Sequence, residues 1–138
     1  MTYYFSDTVN MRFDDAVAST KGALQRHNLR VLTEIDMKDN FKNALNVDFR
    51  PYLILGVWDP QLTYRALQAE DKVGTMLPCN IVLQQQEGGR VDVSAVDPVA
   101  SMQAIDHVVV DQVAQEMRSH LQKVIDEVCN ATDSARVS

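Results

Sequence analysis

The sequence predicts an α+β domain of two layers, a mostly antiparallel five-stranded sheet with helices packed on one face. Three observations carry this. Five short runs have the alternating or continuous apolar character of strands. Two of them, 80–86 and 90–96, flank Glu87-Gly88-Gly89, a hairpin signal that requires antiparallel pairing. The last third of the chain holds an apolar stripe at helical spacing, far too long for a strand. Strands and helices so ordered bury their apolar sides when the helices lie on one face of the sheet.

Residues 2–9 are rich in aromatic and β-branched types and read as the first strand. Phe13, Ala16, Val17, Thr20, Ala23 and Leu24 then form a helical stripe, with Asn10 and Asp14 as alternative N-caps and His27-Asn28 as its end. Gly22 lies inside this helix at a cost of about 1 kcal/mol relative to Ala, which suggests close packing on the sheet. Leu29 to Asp36 alternates, with Leu29, Val31, Thr33 and Ile35 on one face, as a half-buried strand does. Residues 38–46 form a short polar helix or loop anchored by Phe41, Ala44 and Leu45.

Pro51 to Trp58 is almost continuously apolar and reads as a central strand. Asp59-Pro60 opens the next helix, Asp as N-cap and Pro at the first helical position, running to about Glu70. Asn80–Gln86 and Arg90–Val96 are the hairpin strands, and Asp97-Pro98 ends the second. Val110, Val113, Ala114, Met117, Leu121, Val124, Ile125 and Val128 give the last helix its buried stripe, opposite a polar face of Asp111, Gln112, Glu116, Ser119, Lys123 and Asp126. One domain over 3–129 is expected, followed by a flexible tail over 130–138.

A chain of 138 residues with 46% hydrophobic content builds one sizeable core. Net charge is −6, of which −5 falls after residue 86. No basic stripe exists to neutralise phosphates, so nucleic acid and anionic membrane surfaces are not expected partners. No apolar run approaches the roughly 18 residues of a membrane span. The N-terminus lacks the basic and apolar regions of a signal peptide, so a cytoplasmic protein is expected. The two cysteines do not make a disulfide framework.

Val47-Asp48-Phe49-Arg50-Pro51-Tyr52-Leu53-Ile54-Leu55-Gly56, Asp59-Pro60, Tyr64-Arg65-Ala66-Leu67 and Leu77-Pro78-Cys79-Asn80 together resemble a family called domain of unknown function 302. Leu32-Thr33-Glu34-Ile35-Asp36, Ser94-Ala95-Val96-Asp97-Pro98 and the amphipathic last helix fit as well, so the resemblance spans about residues 3–128. It implies a curved antiparallel sheet of the TATA-binding-protein-like class and a homodimer, and it brings no activity, substrate or cofactor. Many members resemble Gly-Ala-Cys-Asn-Pro where this chain has Gly56-Val57-Trp58-Asp59-Pro60. A relative that pairs that thiol with the one matching Cys79 does something this chain cannot.

Cys79, at a loop-to-strand junction, is a weak candidate nucleophile; its plainer role is a small buried apolar residue. Cys129 is taken as incidental. His27, His107 and His120 share no ligand spacing, and Met37, Met76, Met102 and Met117 are scattered gap-fillers, so no metal is expected. Arg50 can clamp a carboxylate or phosphate, or else pairs with Asp48 or Glu34. No glycine-rich phosphate loop, Cys-x-x-Cys, His-Glu-x-x-His or Gly-x-Ser-x-Gly occurs, and no cofactor is implied. The leading expectation is a small-molecule binding module for an apolar or amphipathic ligand, acting as a homodimer. Its groove, at one sheet edge beside the long helix, is expected to be lined by Tyr52, Trp58, Tyr64 and Cys79 with Arg50 as polar anchor. A structural or interaction protein is the second reading. A thiol-dependent redox enzyme centred on Cys79 comes third, because no partner base is legible.

Overall fold

The computed structural model describes residues 2–137, with side chains through Asn130. The strands are β1 (Tyr4–Val9), β2 (Arg30–Asp36), β3 (Tyr52–Trp58), β4 (Cys79–Gln85) and β5 (Val91–Val96). The helices are α1 (Phe13–Arg26), α2 (Met37–Leu45), α3 (Pro60–Ala69), α4 (Pro98–Ser101) and α5 (Val108–Val137). The sheet order is β1-β5-β4-β3-β2, with every neighbouring pair antiparallel. The expected two-layer α+β architecture is therefore present.

Alternation along the strands places Val57, Leu55, Cys79, Ile81, Leu83, Val91, Val93 and Ala95 on one face, all buried. The α5 stripe read from the sequence covers that face: Val110, Val113, Ala114, Met117, Leu121, Val124, Ile125 and Val128 are all at most 3% exposed. α5 packs on β1 and β5 and against α1 and α3, while α1 also reaches β4. Asp59 caps α3 as expected, accepting from the Gln61 and Leu62 amides at 3.0 and 3.1 Å. In the β4–β5 turn Gly88 and Gly89 hold φ of 83° and 81°, where side-chain-bearing residues are strained.

The structure corrects several expectations. α1 starts after Arg12, whose side chain makes no cap bond, and neither Asn10 nor Asp14 serves as N-cap. Gly22 meets only the Arg26 side chain of its own helix, so it does not serve packing on the sheet. β2 is not half-buried: all seven of its residues are exposed, because it is an edge strand. Its alternation is also broken. The register slips between Val31, opposite Val57, and Thr33, opposite Gly56, so Val31 and Thr33 do not share a face. In α2, Phe41 is half-buried against Phe49, but Ala44 and Leu45 are exposed and anchor nothing. Two short elements went unread, a 3-10 turn at Asp71–Met76 and α4, which Asp97 caps through the Val99 amide. Beyond Asn130, the tail expected over 130–138 lies outside the residues whose side chains are described.

Candidate functional site

Among the described residues no helix covers the other face of the sheet, and the strand registers lay its side chains out in rows. One row runs Thr8, Asp92, Gln84, Tyr52; the next runs Ser6, Ser94, Val82, Ile54, Ile35; beyond it Tyr4 stands beside Val96, and Asn80, Gly56 and Thr33 stand in line. Neighbours in a row stand roughly 4.8 Å apart and rows lie about 7 Å apart. The floor therefore mixes hydroxyls, amides and one carboxylate with apolar side chains.

The segment 75–78 rises over this floor and turns it into a trough. Gly56 makes the approach possible: a Cβ there would collide with Thr33 Oγ1 and stand 2.8 Å from Pro78 Cγ. Tyr3 and Tyr4, edge to face at 4.9 Å, stand at the far rim. The trough between them has a volume of about 730 Å³ and is lined by residues of β1, β3, β4 and β5, by the 75–78 segment and by Ser101 of α4. This size falls within the ordinary range for small-molecule sites. On its floor Ser94 Oγ donates to Asp92 Oδ2 at 2.8 Å.

The five residues expected to line one groove do not share a cavity. Tyr52 lines the trough. Arg50 stands at its end, where Nε and Nη2 donate to Gln84 Oε1 at 3.0 and 2.9 Å and the guanidinium lies over the rings of Phe49 and Tyr52. Neither ion pair expected for Arg50 forms, because Lys42 takes Asp48 and Lys21 takes Glu34. Trp58 follows Gly56 on the same face but outside the trough. Tyr64 projects from α3 in the helical layer, 65% exposed. Cys79 points the opposite way from the trough, into the core. The expected groove beside α5 is filled by the packing of α1 and α3 against it.

Burial pushes the Cys79 thiol up to about 12. A nucleophilic thiol needs the reverse, a lowered value in a partly exposed electropositive setting. The histidines stay apart: His27 Nε2 lies 3.7 Å from Glu127 and His120 Nδ1 lies 3.8 Å from Asp59. Glu127 is held below the usual carboxylate range, chiefly by a hydrogen bond from Arg26. Among the described residues no three metal-ligating side chains come together, and no helix is long and apolar enough to cross a membrane.

The residues missed from the sequence are Asp92, Ser94, Gln84, Asn80 and the wall at 75–78. Their signal was present as polar residues alternating with apolar ones in both hairpin strands, but such alternation reads as an ordinary solvated face.

The family model described as "Domain of unknown function DUF302" matches residues 5–128. The crystal structure of an uncharacterised conserved DUF302 protein from Bacillus stearothermophilus superposes with a TM-score of 0.85 at 21% identity, covering 94% of this chain and 99% of that one. It is similar in fold. No curated protein matches.

Proposed function

The chain belongs to the DUF302 family, whose name assigns no activity, and from its own geometry we propose a binding module that holds a small amphipathic molecule in the trough of the helix-free sheet face. The observation that carries this is the walled cavity of about 730 Å³ over a floor where Val82 lies among Ser94, Asn80 and Gln84. Such a floor gives an apolar body something to lie on and its polar groups directional partners. The trough walls include no Lys, Arg or His among the described residues, which supports a small molecule over nucleic acid. The buried, protonated Cys79 supports a binding role over thiol catalysis. We place the protein in the cytoplasm, a reading supported by an unpaired thiol at Cys79.

Amide-detected NMR of the full chain against a set of small aromatic and aliphatic amphiphiles tests the proposal. Binders are expected to shift the amides of 80–84 and 92–96 together. Ser94→Tyr, which fills the floor, is expected to abolish those shifts with the unfolding midpoint unchanged. Shifts scattered over the helical layer, or none, would remove the reading.

A second reading, a homodimer, is supported by β2. This edge strand leaves Val31, Leu32 and Ile35 exposed, Leu32 at 50%, and its outer side offers backbone groups that a second copy can pair with on either side of the bulge. Antiparallel pairing with a second copy about Leu32 sets Arg30 opposite the copy's Glu34, a self-complementary charge pattern. Light scattering is expected to give a dimer that Leu32→Lys converts to monomer. A monomeric wild type would end it.

A further inference from the structure

We infer that the ligand of the trough is an organic cation carrying an apolar or aromatic body, an inference that rests on the trough being a binding site. Asp92 is the one acidic residue among the described residues lining it, and no basic residue lines it. Asp92 is half-buried, accepts from Ser94, and has no cationic partner within 4.0 Å among the described residues. The contrast with Asp97, at the end of the same strand, is instructive: its carboxylate has Arg118 Nε at 3.2 Å. Asp92 keeps one hydrogen bond, from Ser94, and a ligand ammonium or guanidinium would supply the charge partner that it lacks among the described residues.

Arg50 does not supply it. It closes the row Asp92, Gln84, Tyr52, but its Nε and Nη2 are spent on Gln84 and it makes no ion pair with Asp92. Its guanidinium, 5.6 Å from the centre of the Tyr52 ring, is instead an internal example of the contact expected from the ligand. Tyr3 and Tyr4 offer further ring faces at the other end. An ammonium at Asp92 leaves the ligand's body over Val82, the diagonal neighbour on the floor. A phosphate or carboxylate ligand would meet the Asp92 charge with no cation in the walls to answer it.

Three matched probes separate the possibilities: phenethylamine, its uncharged analogue phenethyl alcohol, and the anion phenylacetate, each titrated into the full chain and followed by amide NMR. Phenethylamine is expected to bind about tenfold tighter than the alcohol, and phenylacetate most weakly. Asp92→Asn, which keeps the side-chain size and an oxygen for Ser94, is expected to bring the amine to the affinity of the alcohol while the alcohol's own affinity holds. The wild type gives an independent measure, since the amine's advantage is expected to shrink as salt rises from about 0.02 to about 0.5 M. Equal binding of amine and alcohol in the trough overturns the cation inference and leaves the binding module standing. Preference for phenylacetate overturns it also. Failure of all three to perturb 80–84 and 92–96 overturns both.

Discussion

Cys79-Asn80-Ile81-Val82-Leu83-Gln84 can be read as two interleaved triplets on two faces of one sheet. Cys79, Ile81 and Leu83 are buried beneath the helices, whereas Asn80, Val82 and Gln84 floor the trough and remain exposed or half-buried. The backbone geometry is the same for both. What differs is coverage: the helical layer brings an apolar stripe to one face, whereas the 75–78 segment, two tyrosines and Ser101 of α4 border the other. Stability is thus concentrated on one side of the sheet, and the other stays open.

The largest test of that contrast compares adjacent residues of β4. Leu83→Ala is expected to cost about 2–5 kcal/mol in denaturant unfolding, because it opens a cavity under a fully buried side chain. Val82→Ala, on the open face, is expected to cost about 1 kcal/mol or less. Similar losses at the two positions would mean that the open face is covered in solution.

Gly56→Ala probes the place where the trough wall approaches most closely. The added methyl meets Thr33 Oγ1 and Pro78 Cγ, and a loss of about 1–3 kcal/mol is expected. Adding Thr33→Ala is expected to restore part of it, and a double-mutant cycle measures the coupling. Strict additivity would break the argument.

Cys79 and Asn80 offer a reactivity contrast. At neutral pH Cys79 is expected to resist alkylation in the native chain and to react once unfolded, whereas Asn80→Cys is expected to label in the native state. The sign of the pH effect follows from the direction of the thiol's shift. Its folded value is raised from 9.0 to about 12, so the folded state holds its proton longer than the unfolded one. Stability is unaffected below about pH 9 and declines from there toward about 12. Cys79→Ala is expected to remove that component of the decline, read as the difference between the two proteins' unfolding curves. Equal slopes for both would show that the thiol is not buried.

The smallest expected effect is a gain. Gly22→Ala adds a methyl whose nearest neighbour is the flexible Arg26 guanidinium at 3.3 Å. A stabilisation of up to about 1 kcal/mol in denaturant unfolding follows from helix propensity. A net loss would show that Arg26 cannot move aside.

Much of the covered face was legible because its signals are local and periodic. The α5 stripe, the Asp59-Pro60 helix start and the glycine-rich hairpin each sit within a few residues of sequence, and each has one physical meaning. β2 was misread for the opposite reason: Leu29, Val31, Thr33 and Ile35 keep a perfect alternation in sequence, and the slip at Leu32 moves Thr33 and Ile35 to the open face without any local sign. The candidate groove suffered from the same gap. Tyr52, Trp58, Tyr64, Cys79 and Arg50 are near one another along the chain, yet two of them, Tyr64 and Cys79, fall on the helical side of the sheet.

By itself the sequence determined the class of the fold, the antiparallel hairpin, the residues of the main helical stripe and the acidic character of the chain, because periodicity, turn chemistry and charge are properties of short windows and of totals. Only the tertiary structure decided which sheet face stays uncovered, that Pro78 closes over Gly56 to wall it, and that Asp92 stands there with no ion-pair partner among the described residues. Those facts depend on strand order and register, which bring together residues as distant in the chain as Tyr4, Tyr52 and Asp92.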